Sequence, residues 1–358
     1  NMFDELQLLV IDEISMVRAD LMDAMDAAMR ANKGEFNQPF GGVKLLFVGD
    51  LFQLQPVITE RDDAFLRDRY PDSGAMFFFD SNVVKEMLAR QRFDFVELSV
   101  PHRFHSSEMP HSPFFEILNR IRAGDITDLN KLNHHLCNSS HCDRLMEEGA
   151  VILASRRATA ERHNQQKLAE LKKKEYVLQG IAEGKCADFS DDRLPTPKNL
   201  LIKEGAQVIF IRNDMQGSRW HNGSLARVSK ISTDPDKIEV RLLSNNERVE
   251  VEQEEWEMID YVYDKENKEI VAEVVGSYKQ FPLILAWALT IHKAQGQTLD
   301  RVVLNMEGGA FSSGQAYVAL SRCRQGKHLG LRRPLLPRDI ICHDSVRNFY
   351  KQMEGLRL

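Results

Sequence analysis

LLVIDEIS, residues 8–15, sets four apolar residues in front of two adjacent carboxylates, Asp12 and Glu13. An apolar core rejects unpaired carboxylates, so the run reads as a buried strand that ends where charge can meet solvent or a ligand. KLLFVGD, residues 44–50, repeats the arrangement and ends in Asp50. Between the two, residues Val17 to Met29 have helical periodicity, with Leu21, Met25, Ala28 and Met29 on one face. Short apolar runs separated by helices signify a parallel sheet, and ligands on such sheets gather at the carboxyl ends of the strands. Asp12, Glu13 and Asp50 all sit at such ends.

The pattern continues outward. Phe114 to Leu136 is helical, and AVILAS, residues 150–155, restarts the strand-helix alternation with the helix RRATAERHNQQKLAELKKK. From about Gln207 to Tyr278 the texture changes. QVIFIRND, GSLARVSKI, KIEVRLL, RVEVEQEEWEMI and EIVAEVVGSY alternate apolar and polar residues between NG, DPD, NN and KENK turns, which predicts a small antiparallel barrel or sheet. The α/β texture returns with PLILAWALT, residues 282–290, read as one buried strand, and runs to a terminal helix around Ser345 to Met353. The fold class is therefore α/β with a β module inserted into the second α/β domain. Gly184 to Asn199 reads as a surface loop.

With 358 residues, 43% hydrophobic and 28% charged, the chain has the balance of a globular protein of two or three domains, which excludes collagen-like or disorder-dominated classes. A formal charge of −6 means that any basic surface is local. Five scattered cysteines make no disulfide framework, and no signal peptide or long apolar run appears. An intracellular, soluble, reducing setting without a membrane partner is expected.

Four stretches carry chemistry. Adjacent acids at a strand end suit a divalent metal and a water: Asp12 can hold magnesium through its hydration shell, and Glu13 can orient or deprotonate an attacking water. The alternative is a solvated strand end with helix-capping acids. In VGDLFQLQPV, residues 48–57, the Gln53 amide can report a terminal phosphate, or it belongs to a polar turn. In LAWALTIHKAQGQTLD an apolar strand runs into Thr290, His292, Lys293, Gln295, Gly296, Gln297 and Thr298, groups that suit phosphodiester oxygens better than a core. GQAYVALSRC, residues 314–323, reads as a helix with Tyr317, Val318 and Leu320 inward and Arg322 projecting, either solvated or reaching a phosphate.

In the order VIDEISM, FVGDLFQLQPV, LAWALTIHKAQGQTL and GQAYVALSRC, the chain resembles the Pif (petite integration frequency) family of superfamily-one DNA helicases, with RecD-type helicases as near relatives. FVELSVPHRF, ILASRRATAERHN and IRNDMQGSRWHNGSLARV add to the resemblance, which covers nearly the whole chain. It implies an ATP-driven, monomeric motor that walks 5′ to 3′ on single-stranded DNA and acts at DNA junctions. It implies two RecA-like parallel-sheet domains, the first incomplete: residues 1–95, then 96–206 with 279–358, and a Src-homology-like barrel at 207–278. It makes Asp12 and Glu13 the magnesium and water residues, with Asp50 beside them, and Gln53 the γ-phosphate sensor. Arg322 becomes an arginine finger and Arg103, in the looser match PHRF, a second arginine facing the nucleotide. Thr290, His292, Lys293, Gln295 and Thr298 become the DNA track. Such a protein would be nuclear or mitochondrial in a eukaryote and cytoplasmic in a bacterium or phage.

Two features stand apart. ATP motors of this type need a G-x-x-x-x-G-K-[ST] loop to cradle phosphates, and here Gly-Lys occurs only at Gly184-Lys185 and Gly326-Lys327, followed by Cys186 and His328. The expectation is a helicase fragment that lacks this loop and does not turn over ATP by itself. The alternatives are a non-catalytic remnant that binds single strands, or a RecD-type motor associated with a nuclease. HHLCNSSHC, residues 134–142, holds zinc-ligand types at no usual finger spacing and reads as a polar loop. Lys172 to Lys174 read as a solvated helix end.

Overall fold

The computed structural model describes residues 2–71, 76–98, 100, 113–215, 217–233, 236–264 and 269–354. The chain divides into two compact units, Asn1–Cys142 with Leu304–Leu358, and Asp143–Val303.

In the first unit the strands Leu8–Ile11 and Lys44–Phe47 pair in parallel, Leu8 opposite Lys44 and Ile11 opposite Phe47, as the twin apolar runs predict, but the burial expected of them is not found, since Leu8, Val10 and Leu46 are exposed. The helix Ala19–Lys33 connects them, but it buries Ala19, Met22, Asp26 and Met29. Leu21, expected inside, is 51% exposed. Asp26 explains the rotation of the face. Its carboxylate accepts from Arg30 Nε at 2.9 and 2.8 Å and from the Phe40 amide at 2.6 Å, so a charged residue with satisfied oxygens occupies a core position. Around it pack Ile14, Met22, Phe40 and Phe77 to Phe79, joined by Val346, Phe349 and Met353 of the helix Asp344–Glu354. Phe79 and Phe349 stack at 4.4 Å.

The helical stretch read over residues 114–136 is two helices, Pro113–Arg122 and Leu129–Leu136. Gly124 separates them with φ +83°, and a Cβ there would lie 2.9 Å from Cys342 Cβ, so only glycine fits. HHLCNSSHC is helical too. It spans the end of Leu129–Leu136 and the start of Ser139–Glu147, where Cys142 is buried and His141 Nε2 lies 3.1 Å from the Leu329 carbonyl. The polar loop predicted there is replaced by helical turns, because Leu132 and Leu136 are buried on the first helix and Cys142 on the second.

In the second unit Val151–Ala154 pairs in parallel with Ala288–Thr290, and the helix Arg157–Glu170 follows the first of these strands. The run 282–290 is not one strand. Leu283–Leu285 pairs antiparallel with Gln207–Phe210, and Ala288–Thr290 then enters the parallel pair. Backbone bonds make the transfer: Ala286 N donates to Gln207 O at 2.9 Å and Ile152 N to Trp287 O at 2.8 Å. The antiparallel sheet has the order 248–251, 236–242, 225–233, 207–210, 283–285, and a long hairpin joins Glu254–Asp264 to Glu269–Gln280. Antiparallel pairing starts before Gln207, at Glu175–Gln179 with Asn199–Lys203. The stretch read as a surface loop, 184–199, buries Cys186, Leu194 and Thr196, and Tyr278 Oη donates to the carbonyls of Thr196 and Pro197 at 3.0 Å. No helix among the described residues is long and apolar enough to cross a membrane.

Candidate functional site

In the first unit the two strand ends are fastened to one another. Val48 N donates to Ile11 O at 2.9 Å and Ile14 N to Val48 O at 3.0 Å, so the turns that carry Asp12-Glu13 and Gly49-Asp50 run side by side. A Cβ on Gly49 would meet Ile14 N at 3.0 Å, and the glycine permits this approach. Glu13 has left-handed backbone angles, φ 49° and ψ 44°, and its amide donates to Asp12 Oδ1 at 2.8 Å. A positive φ is uncommon for a non-glycine residue and of the order of 1 kcal/mol uphill. Asp12 is exposed and Glu13 half-buried. Their carboxylates therefore have the access to water that a hydrated magnesium ion requires.

Asp50, placed by the sequence among the nucleotide-binding acids, is taken up inside the unit. Its carboxylate receives Arg122 Nη2 at 3.0 Å, Arg122 Nε at 3.2 Å, the Tyr317 hydroxyl at 3.0 Å and the Phe52 amide at 3.2 Å. The Arg122 guanidinium lies over Phe52, 4.4 Å from the ring centroid, and Nη2 also donates to Tyr350 Oη at 3.1 Å. Burial opposes the charge on Arg122, but Asp50 outweighs it and raises the guanidinium pKa. Burial and the Asp50 charge push the Tyr317 phenol up as well. Arg122 escaped the sequence reading because it ends an amphipathic helix, PFFEILNRIR, that carries no motif. Its removal strands a partly buried carboxylate. Arg122→Ala is expected to destabilise the protein by about 2 kcal/mol, between the values for exposed and buried pairs, seen as a lower denaturant midpoint at unchanged slope. An unchanged midpoint would show that the pair contributes nothing.

Gln53, half-buried, is held through its backbone N–H, which donates to Asp50 O at 3.0 Å. Directly against it stands Gly314, the N-cap of the helix Gln315–Ser321, with φ +73°. A Cβ on Gly314 would lie 2.2 Å from Gln53 O and 2.4 Å from Phe52 O, so this helix begins in backbone contact with the loop that carries Gln53. Arg322, at the other end of the same helix, does not project as the sequence suggested. It is 1% exposed, and its Nε and Nη2 donate to Val318 O at 2.9 Å and Ser321 Oγ at 2.8 Å. Its aliphatic stem packs like a core residue, which periodicity alone does not reveal for arginine. Arg103 lies outside the described residues.

In the second unit the polar turn after Ala288–Thr290 is compact. Ala294 N donates to Thr290 O at 3.1 Å and Lys293 N to Thr290 Oγ1 at 3.3 Å. His292, Gln295 and Thr298 are half-buried and Lys293 is exposed. Burial lowers the pKa of His292, which favours the neutral ring near pH 7; burial, then nearby Arg157, lowers that of Lys293. Asn164, quoted in the sequence only as part of ERHN, fixes the strand that delivers this turn: its amide donates to Ala288 O and accepts from Ala288 N, both at 2.8 Å. Among the described residues no group of three or more His, Cys, Asp or Glu side chains is placed to hold a metal.

Comparison with known proteins gives concordant results. The family model described as PIF1-like helicase matches residues 1–132. The chain is 34% identical over 354 residues to the ATP-dependent DNA helicase Pif1 of Bdellovibrio bacteriovorus, covering 97% of this chain and 70% of that protein. Among solved structures, Bacteroides Pif1 bound to single-stranded DNA superposes with a TM-score of 0.70 at 32% identity, covering 100% of this chain and 79% of that one. Bacteroides sp Pif1 in complex with ADP-AlF4 superposes with a TM-score of 0.76 at 31% identity, covering 99% and 76%.

Proposed function

The chain belongs to the PIF1-like helicase family, and from that premise we propose that it serves as an ATP-dependent DNA helicase that moves 5′ to 3′ along single-stranded DNA. The observation that carries the proposal is the backbone contact of Gly314 with the Gln53 loop. It links a strand-end amide suited to a terminal phosphate with a helix that ends in Arg322. A change felt at Gln53 is thereby passed to that helix without a long side-chain relay.

In this reading magnesium, when bound, neutralises the charge that develops on the phosphates. Asp12 holds its hydration shell, and Glu13 orients and deprotonates the attacking water. Gln53 senses the terminal phosphate, while Asp50, gripped by Arg122 and Tyr317, keeps the loop in place. Arg322 and Arg103 stabilise the transferring phosphoryl group. For Arg322 this means exchanging Val318 O and Ser321 Oγ for phosphate oxygens when nucleotide is present. The organisation that goes with this activity is a first RecA-like domain at 1–95, a second at 96–206 with 279–358, and a small barrel at 207–278. Support for the insertion comes from the antiparallel pairing of Gln207–Phe210 with Leu283–Leu285, which brings its two ends together.

Thr290, His292, Lys293, Gln295 and Thr298 form the DNA track of a monomeric motor that loads on single strands and junctions. Hydroxyl, amide and neutral imidazole groups bond phosphodiester oxygens without reading sequence. Thr290→Ala with His292→Ala is expected to weaken single-stranded DNA binding about tenfold in fluorescence anisotropy, with basal ATPase of the full-length protein retained. Binding of the parent chain should fall steeply with salt and vary little with sequence. Salt-insensitive binding, or a double variant that loses basal turnover at unchanged affinity, would contradict the track.

A further inference from the structure

A cavity of about 540 Å³ opens in the second unit, between the antiparallel sheet and the turn that follows Thr290. Its floor is apolar, with Ile209, Ile284 and Leu289. All three are at least nine-tenths buried. Its rim is made of amides: Asn222 from the sheet side, Gln295 and Gln297 from the turn. The rim is built before any ligand arrives. Asn222 sits in a tight turn in which Ser224 N donates to His221 O at 2.9 Å, His221 N to Ser224 Oγ at 2.9 Å and Asn222 N to Asn213 Oδ1 at 2.8 Å. Gly223 takes the positive φ of +93° that this turn needs, and the turn comes within van der Waals reach of the Gln297 side chain.

We propose that this cavity receives one unpaired nucleobase of the single strand that follows the Thr290–Thr298 track, its faces on the isoleucine-leucine floor and its edge hydrogen-bonded by Asn222 and the two glutamines. This rests on the DNA-track reading and adds a contact to the base where the track supplies contacts to phosphate. The chemistry separates the two ligands. A phosphate is served by cations and backbone amides, whereas a base offers flat apolar faces and an edge of mixed donors and acceptors. Asn222, which is exposed, can turn either its acceptor or its donors to such an edge, while Gln295 and Gln297, whose Oε1 atoms are buried, would meet it through their NH2 groups. The volume falls in the range of small-ligand pockets, and Lys293 on the same rim can hold the adjoining phosphate. An adaptable amide rim accommodates every base, so the pocket favours the presence of a base over its identity.

The test is an abasic scan. A short oligothymidylate binds the protein in fluorescence anisotropy while one abasic nucleotide is moved along it, position by position. The expected result is a single register in which the missing base weakens binding roughly tenfold, the scale of one base contact. Asn222→Ala and Asn222→Asp, at an exposed position in a turn, should shrink that difference between intact and abasic strands, and Asn222→Ala, which changes no charge, should leave the salt slope unchanged. Binding that is indifferent to the abasic position, or a register effect undiminished in both Asn222 variants, overturns the pocket and leaves the track standing. Failure of the intact oligonucleotide to bind overturns the track and the pocket with it.

Discussion

Arg322→Ala in the full-length protein is expected to lower DNA-stimulated ATP turnover by about 10³-fold, the lower end for arginine fingers, with single-stranded DNA affinity little changed. The charge acts when the transferring phosphoryl group develops negative charge, so its loss appears in kcat more than in KM. The burial of Arg322 adds a second consequence. Its guanidinium is bonded to Val318 O and Ser321 Oγ, so the alanine variant leaves both without these donors and opens space beside a packed helix. Arg322→Lys separates the effects: it retains charge and most of the stem but not the planar fork, and it should keep stability better than activity. If both variants lose stability and turnover in proportion, Arg322 is a core residue and not a finger.

Glu13→Gln is expected to remove turnover almost completely, by about 10³-fold or more, while nucleotide binding is retained. Glutamine preserves size and hydrogen-bonding capacity but cannot accept the proton of the attacking water. The bond to Asp12 Oδ1 comes from the Glu13 backbone N–H, which glutamine also carries. Fluorescent-nucleotide titration beside a phosphate-release assay decides the matter. Equal loss of binding and turnover would assign Glu13 a structural role.

The parallel pair at 8–11 and 44–47 was legible because two runs of apolar residues ending in charge admit few other readings. The β texture after Gln207 was legible from alternation and turns. The passage of 282–290 from an antiparallel to a parallel pair was hidden, since a continuous apolar run does not say which neighbour it bonds to. Periodicity also misled where polar groups are buried with their partners. Asp26 and Arg322 both sit in interiors that a hydrophobic pattern assigns to other residues. In the site, strand-end acids, Gln53 and the polar turn at 290–298 were visible as residue types out of place after apolar strands. Arg122 and Asn164 were not, because their roles depend on Asp50 and Ala288, which lie 72 and 124 residues away in sequence.

All the assigned residues serve one activity, ATP-driven movement along a single strand in the 5′ to 3′ direction. Stopped-flow fluorescence with the full-length protein, on oligothymidylates of increasing length labelled at one end or the other, tests it most directly. The expected result is an ATP-dependent signal at the 3′ end whose lag grows in proportion to length, no such lag at the 5′ end, and loss of the signal in Glu13→Gln. A lag at the 5′ end only, or a signal independent of ATP and of Glu13, would contradict it.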